Sequence, residues 1–141
     1  MSELVAVARQ KLFDGGYTCV IFTDDGEYTS FERGVKPLIE CLESERSFAG
    51  AVAADKCVGA GAAHLYVLLG VSAIWANIIS ASALDVLEGA GIDARYGECV
   101  PYIINRKGDG TCPIESAVSG AKTSEEAYGL IKSALKRLEK R

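Results

Sequence analysis

The chain has 141 residues, 49% of them apolar and 24% charged, with a formal net charge of −4 and a pI near 5.0. That is the length of one domain, 1–141, with enough apolar content to bury a core. The acidic balance argues against general nucleic-acid binding, which needs a basic field. Five widely spaced cysteines with no CxxC pair argue against a disulfide framework or a zinc knuckle. Three of these cysteines are expected to serve as small buried apolar residues. The start, Met-Ser-Glu-Leu, carries no signal-like apolar segment, so a cytoplasmic location is expected.

In chain order, Glu3 to Phe13 places Leu4, Val5, Ala8 and Leu12 at helical spacing, and Asp14-Gly15-Gly16 ends that helix. Tyr17 to Thr23 is β-branched and aromatic and predicts a strand. Asp24-Asp25-Gly26 is a hairpin turn signal, with Glu27 to Ser30 as the more polar return strand. Pro37 suits the first turn of a helix that runs to about Glu45 on Leu38, Ile39 and Leu42. Phe48 to Ala54 predicts a strand of small residues.

Residues 57 through 84 contain no Asp, Glu, Lys or Arg, which marks the most buried stretch of the chain. Its length would admit a membrane span. Gly70, Ser72, Asn77, Ser80 and Ser82 interrupt it, however, and no basic cluster or aromatic belt flanks it, so no membrane association is expected. Val58 to Leu69 predicts a helix closed by Gly70. Ala73 to Ile79 predicts a strand buried on both faces. A further helix starts at about Ser80 or Ser82 and ends at Gly91. Ile92 to Val100 can hold another strand, and Tyr102-Ile103-Ile104 is a short apolar piece. Thr123 or Ser124 can cap a last helix over about 123–139. Strands alternating with helices after an opening hairpin predict an α/β three-layer sandwich with a mixed sheet.

In such sheets ligands collect beyond the strand ends, at helix N-termini. Three junctions are distinctive. In the first, Asp55 stands as a candidate helix N-cap, Lys56 follows it, and Gly59 and Gly61 allow close approach of a backbone or a ligand. The alternative is a cap with tight helix–sheet packing. In the second, Asn105, Arg106, Gly108 and Gly110 form a loop able to hold an anion. Cys112 is the expected N-cap, Pro113 the first helical residue and Glu115 the third. A thiol there is activated by the helix start and opposed by Glu115. The alternative is a basic loop before a capped helix, and the pattern lacks the Gly-Lys-Ser/Thr ending of a P-loop. In the third, Arg33 and Lys36 flank a glycine ahead of a helix and can hold a phosphate or carboxylate, or simply be solvated. His64, the sole histidine, is expected to be a satisfied core or interface residue, and Trp75 a core residue.

Together these junctions carry a resemblance. Arg33-Gly34-x-Lys36-Pro37, Ala54-Asp55-Lys56-x-x-Gly59, Leu65-Tyr66-x-Leu68-Leu69-Gly70-Val71 and Asn105-Arg106-x-Gly108-x-Gly110-x-Cys112-Pro113-x-Glu115 resemble a family of uncharacterised bacterial and archaeal proteins, known only as a domain of unknown function. The resemblance covers about residues 3 to 120. It implies a cytidine-deaminase-like fold without an assigned activity. Deaminases hold a catalytic zinc with a His/Cys-Ala-Glu motif at one such helix start and Pro-Cys-x-x-Cys at the next. This chain reads Ala54-Asp55-Lys56 at the first position and Ser80-Ala81-Ser82-Ala83 at the second, with no Cys or His ligand at either. Zinc-dependent deamination, and indeed any metal or cofactor, is therefore not expected.

The leading expectation is a protein that binds a small anionic or nucleotide-like ligand at the strand ends, without zinc. The candidate ligand residues are Arg33, Lys36, Asp55, Lys56, Gly59, Ser80, Ser82, Asn105, Arg106, Gly108, Gly110, Cys112 and Glu115. The second expectation is a metal-free enzyme with Cys112 as nucleophile and Asp55 or Glu115 moving protons. The third is an oligomeric interaction module. A homodimer is implied by resemblance to deaminase-like folds.

Overall fold

The computed structural model describes residues 3–104, 108 and 110–139. Helix α1 (Glu3–Gly15) leads into the hairpin β1 (Cys19–Thr23) and β2 (Gly26–Ser30), then α2 (Lys36–Glu43). Alternating elements follow: β3 (Val52–Val58), α3 (Ala60–Leu69), β4 (Ala73–Ser80), α4 (Ala81–Gly89) and β5 (Asp93–Val100). The chain closes with the short α5 (Pro113–Ala117) and the long α6 (Ser124–Glu139).

The five strands form one mixed sheet in the order β2-β1-β3-β4-β5. β1 is antiparallel to both of its neighbours, and β3, β4 and β5 are mutually parallel. Strand alternation divides the core in two. Val5, Ala8 and Leu12 of α1 pack on Val20, Val52, Ala54, Ala73 and Trp75. The opposite faces of the same strands, with Ile21, Ala53, Ile74 and Ala76, pack beneath the other helices. The result is an α/β sandwich with one helix on one side and the remaining helices on the other. Among the described residues no helix is long and apolar enough to cross a membrane.

Three sequence readings need correction. β3 does not stop at Ala54: Cys57 and Val58 continue the parallel ladder opposite Ile78 and Ile79. Asp55 therefore lies within a strand and is not a helix cap; α3 starts at Ala60 with Gly59 as its N-cap. Phe48 to Ala51 is not strand, because Gly50 turns the chain at φ +77° and Ala51 N–H bonds back to Phe48 O at 3.0 Å. Of the five cysteines, Cys19 and Cys41 are buried and Cys112 is partly buried, whereas Cys57 and Cys99 are exposed.

Candidate functional site

Strand direction decides where chemistry can gather. The carboxyl ends of β3, β4 and β5 share one end of the sheet with the start of β1 and the end of β2, since Cys19 lies opposite both Asp55 and Ser30. The segment with Arg33 and Lys36 leaves β2 at this end. It lies on the β2 side, three strands from β4, a lateral distance of roughly 14 Å at ordinary strand spacing. Lys36 Nζ stands 3.8 Å from Glu32 Oε1, both well exposed. Asn105 and Arg106 lie outside the described residues.

The centre of this sheet end is a buried carboxylate. Glu115 Oε2 accepts hydrogen bonds from Ala60 N–H at 2.7 Å and from Ser80 Oγ–H at 2.5 Å, while Oε1 accepts from Ile103 N–H at 2.7 Å. α3 has no side-chain cap of its own, so Glu115 supplies one from 55 residues away. Ser80 in turn accepts from Ala83 N–H at 3.1 Å, as N-cap of α4. One carboxylate thus ties the starts of two parallel helices to the segment leaving β5. A Cβ on Gly59 would lie 3.0 Å from Glu115 Oε2, and one on Gly61 would lie 2.6 Å from Ile114 Cγ2. Both glycines are there because α5 presses against the first turn of α3, a contact between helices and not the cap with helix–sheet packing set out for that junction.

A second polar chain runs between strand and helix. The half-buried Asp55 accepts a hydrogen bond from Tyr66 Oη–H at 2.6 Å through Oδ2, and one from Cys57 N–H at 3.1 Å through Oδ1. The buried Tyr66 hydroxyl also lies 3.3 Å from Cys19 Sγ. Loss of solvation pushes the Asp55 carboxyl up to about 7, against the opposing pull of these hydrogen bonds. Burial, followed by the Asp55 charge, likewise raises the Cys19 thiol well above its ordinary value.

The thiols give a direct check on this end of the sheet. Cys112 is the N-cap of α5, as expected, but its side chain makes no capping bond and the helix is only five residues long. Desolvation, then the charges of Asp55, Cys112 and Glu115, push the Cys57 thiol up to about 11. Cys57 is exposed, yet it should alkylate on the order of 10-fold more slowly near neutral pH than an exposed thiol of ordinary acidity, since the loss of thiolate is partly offset by its greater nucleophilicity. Peptide mapping after timed iodoacetamide labelling checks this. Rapid, preferential labelling of Cys57 would contradict it.

Next to Glu115 a groove of about 720 Å³ opens between α3, α4 and the segment running from α5 into α6. Its walls include Ala60, His64, Ser82, Asp85, Glu115, Ser116, Lys122 and Ser124. Ala60 opens α3, Ser82 lies in the first turn of α4, and Ser124 opens α6. Three helix N-termini therefore contribute to one groove. Thr123 Oγ1 caps α6 by accepting from Glu126 N–H at 3.1 Å. Of the residues expected from sequence, Ser82 and Glu115 line this groove. Arg33, Lys36, Asp55, Lys56, Gly59, Ser80, Gly108, Gly110 and Cys112 are not part of its lining.

His64 is the residue that the sequence reading undervalued. It is only 9% exposed and lines the groove, with Nδ1 3.0 Å from Ser124 Oγ. Burial lowers its pKa below the ordinary value. The available signal was spacing: Ala60, His64 and Val67 stand at i, i+4 and i+7, one stripe of α3 that faces the groove. Among the described residues, no group of three or more His, Cys, Asp or Glu is arranged to hold a metal ion.

Fold and groove define an α/β protein with a mixed five-stranded sheet and, among its helices, a groove of mixed polar and apolar lining. The sequence pattern of TM1506, the domain of unknown function DUF1893, matches residues 7–135, and the chain belongs to that family. The fold is similar to the crystal structure of a DUF1893 family protein (TM1506) from Thermotoga maritima, with a TM-score of 0.82 and 24% identity over 97% of this chain and 92% of that one. At that identity the likeness speaks for the fold alone. No curated protein matches the chain.

Proposed function

We propose that the chain binds a small nucleotide-like molecule, without zinc, in the groove beside Glu115. The observation that carries this reading is the groove itself. A volume of about 720 Å³ falls within the ordinary range of small-molecule sites, roughly 300–1,000 Å³. It begins at the starts of α3 and α4, at the carboxyl end of the parallel strands, where open α/β sheets take their ligands, and runs along α4 to Gly89 and Ala90. The lining suits a molecule rich in hydroxyl and carbonyl groups. Ser82, Ser116, Ser119, Thr111 and Thr123 offer hydroxyls, and Tyr102 offers an exposed aromatic face on which a planar ring can stack.

The reading includes a cytidine-deaminase-like fold whose metal chemistry has been replaced. The deaminase pattern would place zinc ligands at the starts of α3 and α4; the first of these lies at Ala60 and not at Ala54-Asp55-Lys56, which belongs to β3. In this chain the Glu115 carboxylate bridges them, bonded to Ala60 N–H and Ser80 Oγ–H. Its bonds to three donors occupy it as a structural staple, and the groove beside it is left to hold a ligand by hydrogen bonds.

A thermal-shift screen of nucleosides, nucleotides and phosphorylated metabolites tests the proposal. A ligand present at 100 times its dissociation constant adds about 2.7 kcal/mol of stability, which in a domain of this size is a melting shift of several degrees. Ser116 is exposed and its side chain only lines the groove, so Ser116→Trp should fill the groove, leave the fold intact and abolish the shift. A shift undiminished in Ser116→Trp would place the ligand elsewhere.

A further inference from the structure

We infer that His64 reads the ligand in this groove, donating a hydrogen bond from Nε2 to an acceptor oxygen of the bound molecule. The inference rests on the groove being the binding site. His64 is more than nine-tenths buried, and Nδ1 is engaged with Ser124 Oγ at 3.0 Å. Nε2 has no hydrogen-bond partner among the described residues. Every buried side-chain nitrogen or oxygen among them does have one, so Nε2 cannot be sealed in the core. It opens to the groove that the ring lines. A buried imidazole with one nitrogen held and the other facing the groove is prepared for a partner that the described residues do not supply.

The tautomer follows from what Nδ1 faces. Ser124 is the first residue of the 16-residue helix α6, whose N-terminus carries partial positive charge. That field favours a lone pair on Nδ1, which accepts from Ser124 Oγ–H, and it places the ring proton on Nε2. Burial keeps the ring neutral by lowering its pKa. The titratable groups that share the groove with it are Asp85 of α4, Glu115 of α5, Lys122, and Tyr102 of the segment after β5. Glu115 already accepts from three donors. The acceptor on the ligand is a neutral carbonyl or hydroxyl oxygen or an anionic oxygen, and pH separates the neutral from the charged. A neutral carbonyl compound binds unchanged until the ring titrates. An anion binds more tightly as pH falls and His64 becomes imidazolium.

Because the chain has a single histidine, its ring nitrogens can be followed alone in ¹⁵N-labelled protein by long-range ¹H–¹⁵N spectra. The expected result without ligand is the Nε2–H tautomer at pH 7 and a titration midpoint below the ordinary 6.5. Uridine and inorganic phosphate, each added at high concentration, are the neutral and anionic probes. At least one should shift Nε2 together with the amides of Ser116 and Ser119. His64→Asn, which keeps a polar atom near Ser124 and removes Nε2, should weaken that probe roughly 10-fold. An Nδ1–H tautomer, an imidazolium at pH 7, or groove amides that move while Nε2 does not would overturn the role of His64 and leave the groove standing. Probes that move neither Nε2 nor any groove amide would overturn both.

Discussion

Glu115→Ala is expected to destabilise the protein by about 3–5 kcal/mol, a large share of the roughly 5–15 kcal/mol that holds a domain folded. The substitution removes an acceptor from three donors at once. Ala60 N–H and Ile103 N–H lose their partner in a closely packed place, and Ser80 Oγ–H loses the group it points at. Each buried donor left unsatisfied costs about 1–3 kcal/mol. Glu115→Gln is the sharper probe. Its volume is preserved, but its amide nitrogen must face one of the backbone N–H groups that neither oxygen of the acid repelled, so it too should lose stability, by about 2 kcal/mol. Urea unfolding reads both variants, with the midpoint falling and the slope unchanged. Wild-type midpoints in both would show that the carboxylate does not staple the two helix starts.

The second large effect is a dependence of stability on pH that Asp55 carries. Its folded-state value of about 7 lies above the roughly 3.9 of an unfolded aspartate. The folded protein therefore holds that proton more tightly than the unfolded chain does. The stability this contributes is complete below about pH 4 and is lost as pH rises to about 7. Full linkage would amount to about 4 kcal/mol, and the partial solvent contact of Asp55 reduces it to about 1–3 kcal/mol. Asp55→Asn removes the titration and keeps an acceptor for Cys57 N–H, while the Tyr66 hydroxyl can turn to donate to Cys19 Sγ, 3.3 Å away. Chemical denaturation of both proteins from pH 4 to pH 8 should show wild type losing stability relative to Asp55→Asn across that window. Parallel curves would contradict the assignment.

Much of the fold was legible because its signals are local. The strand Ala73 to Ile79 follows from an uncharged β-branched run between Gly70 and Ser80, and observed β4 extends it by only Ser80. The hairpin follows from Asp24-Asp25-Gly26, with Thr23 paired to Gly26. The start of α5 follows from Cys112-Pro113. What failed was long-range. Glu115 reads locally as the third residue of its own helix, and nothing nearby in sequence says that it caps α3 instead. Asp55 was misread because the small residues Ala51 to Ala54 made the strand look finished, whereas pairing with β4 carries it on to Val58. His64 sits in a run so apolar that burial was the natural reading. Burial is correct, but the free ring nitrogen emerges only when α6 folds back and Ser124 takes the other one.

The sequence candidates and the groove are two separate places for a ligand at the same end of the sheet, one around Arg33, Lys36 and Asp55 and one beside Glu115. The most direct measurement of the central claim is the thermal-shift screen run side by side on wild type, Ser116→Trp and Asp55→Asn. Binding in the groove predicts a ligand shift in wild type and in Asp55→Asn, and none in Ser116→Trp. A shift that survives Ser116→Trp and vanishes in Asp55→Asn would contradict it, and would move the site to the β1–β3 side of the sheet.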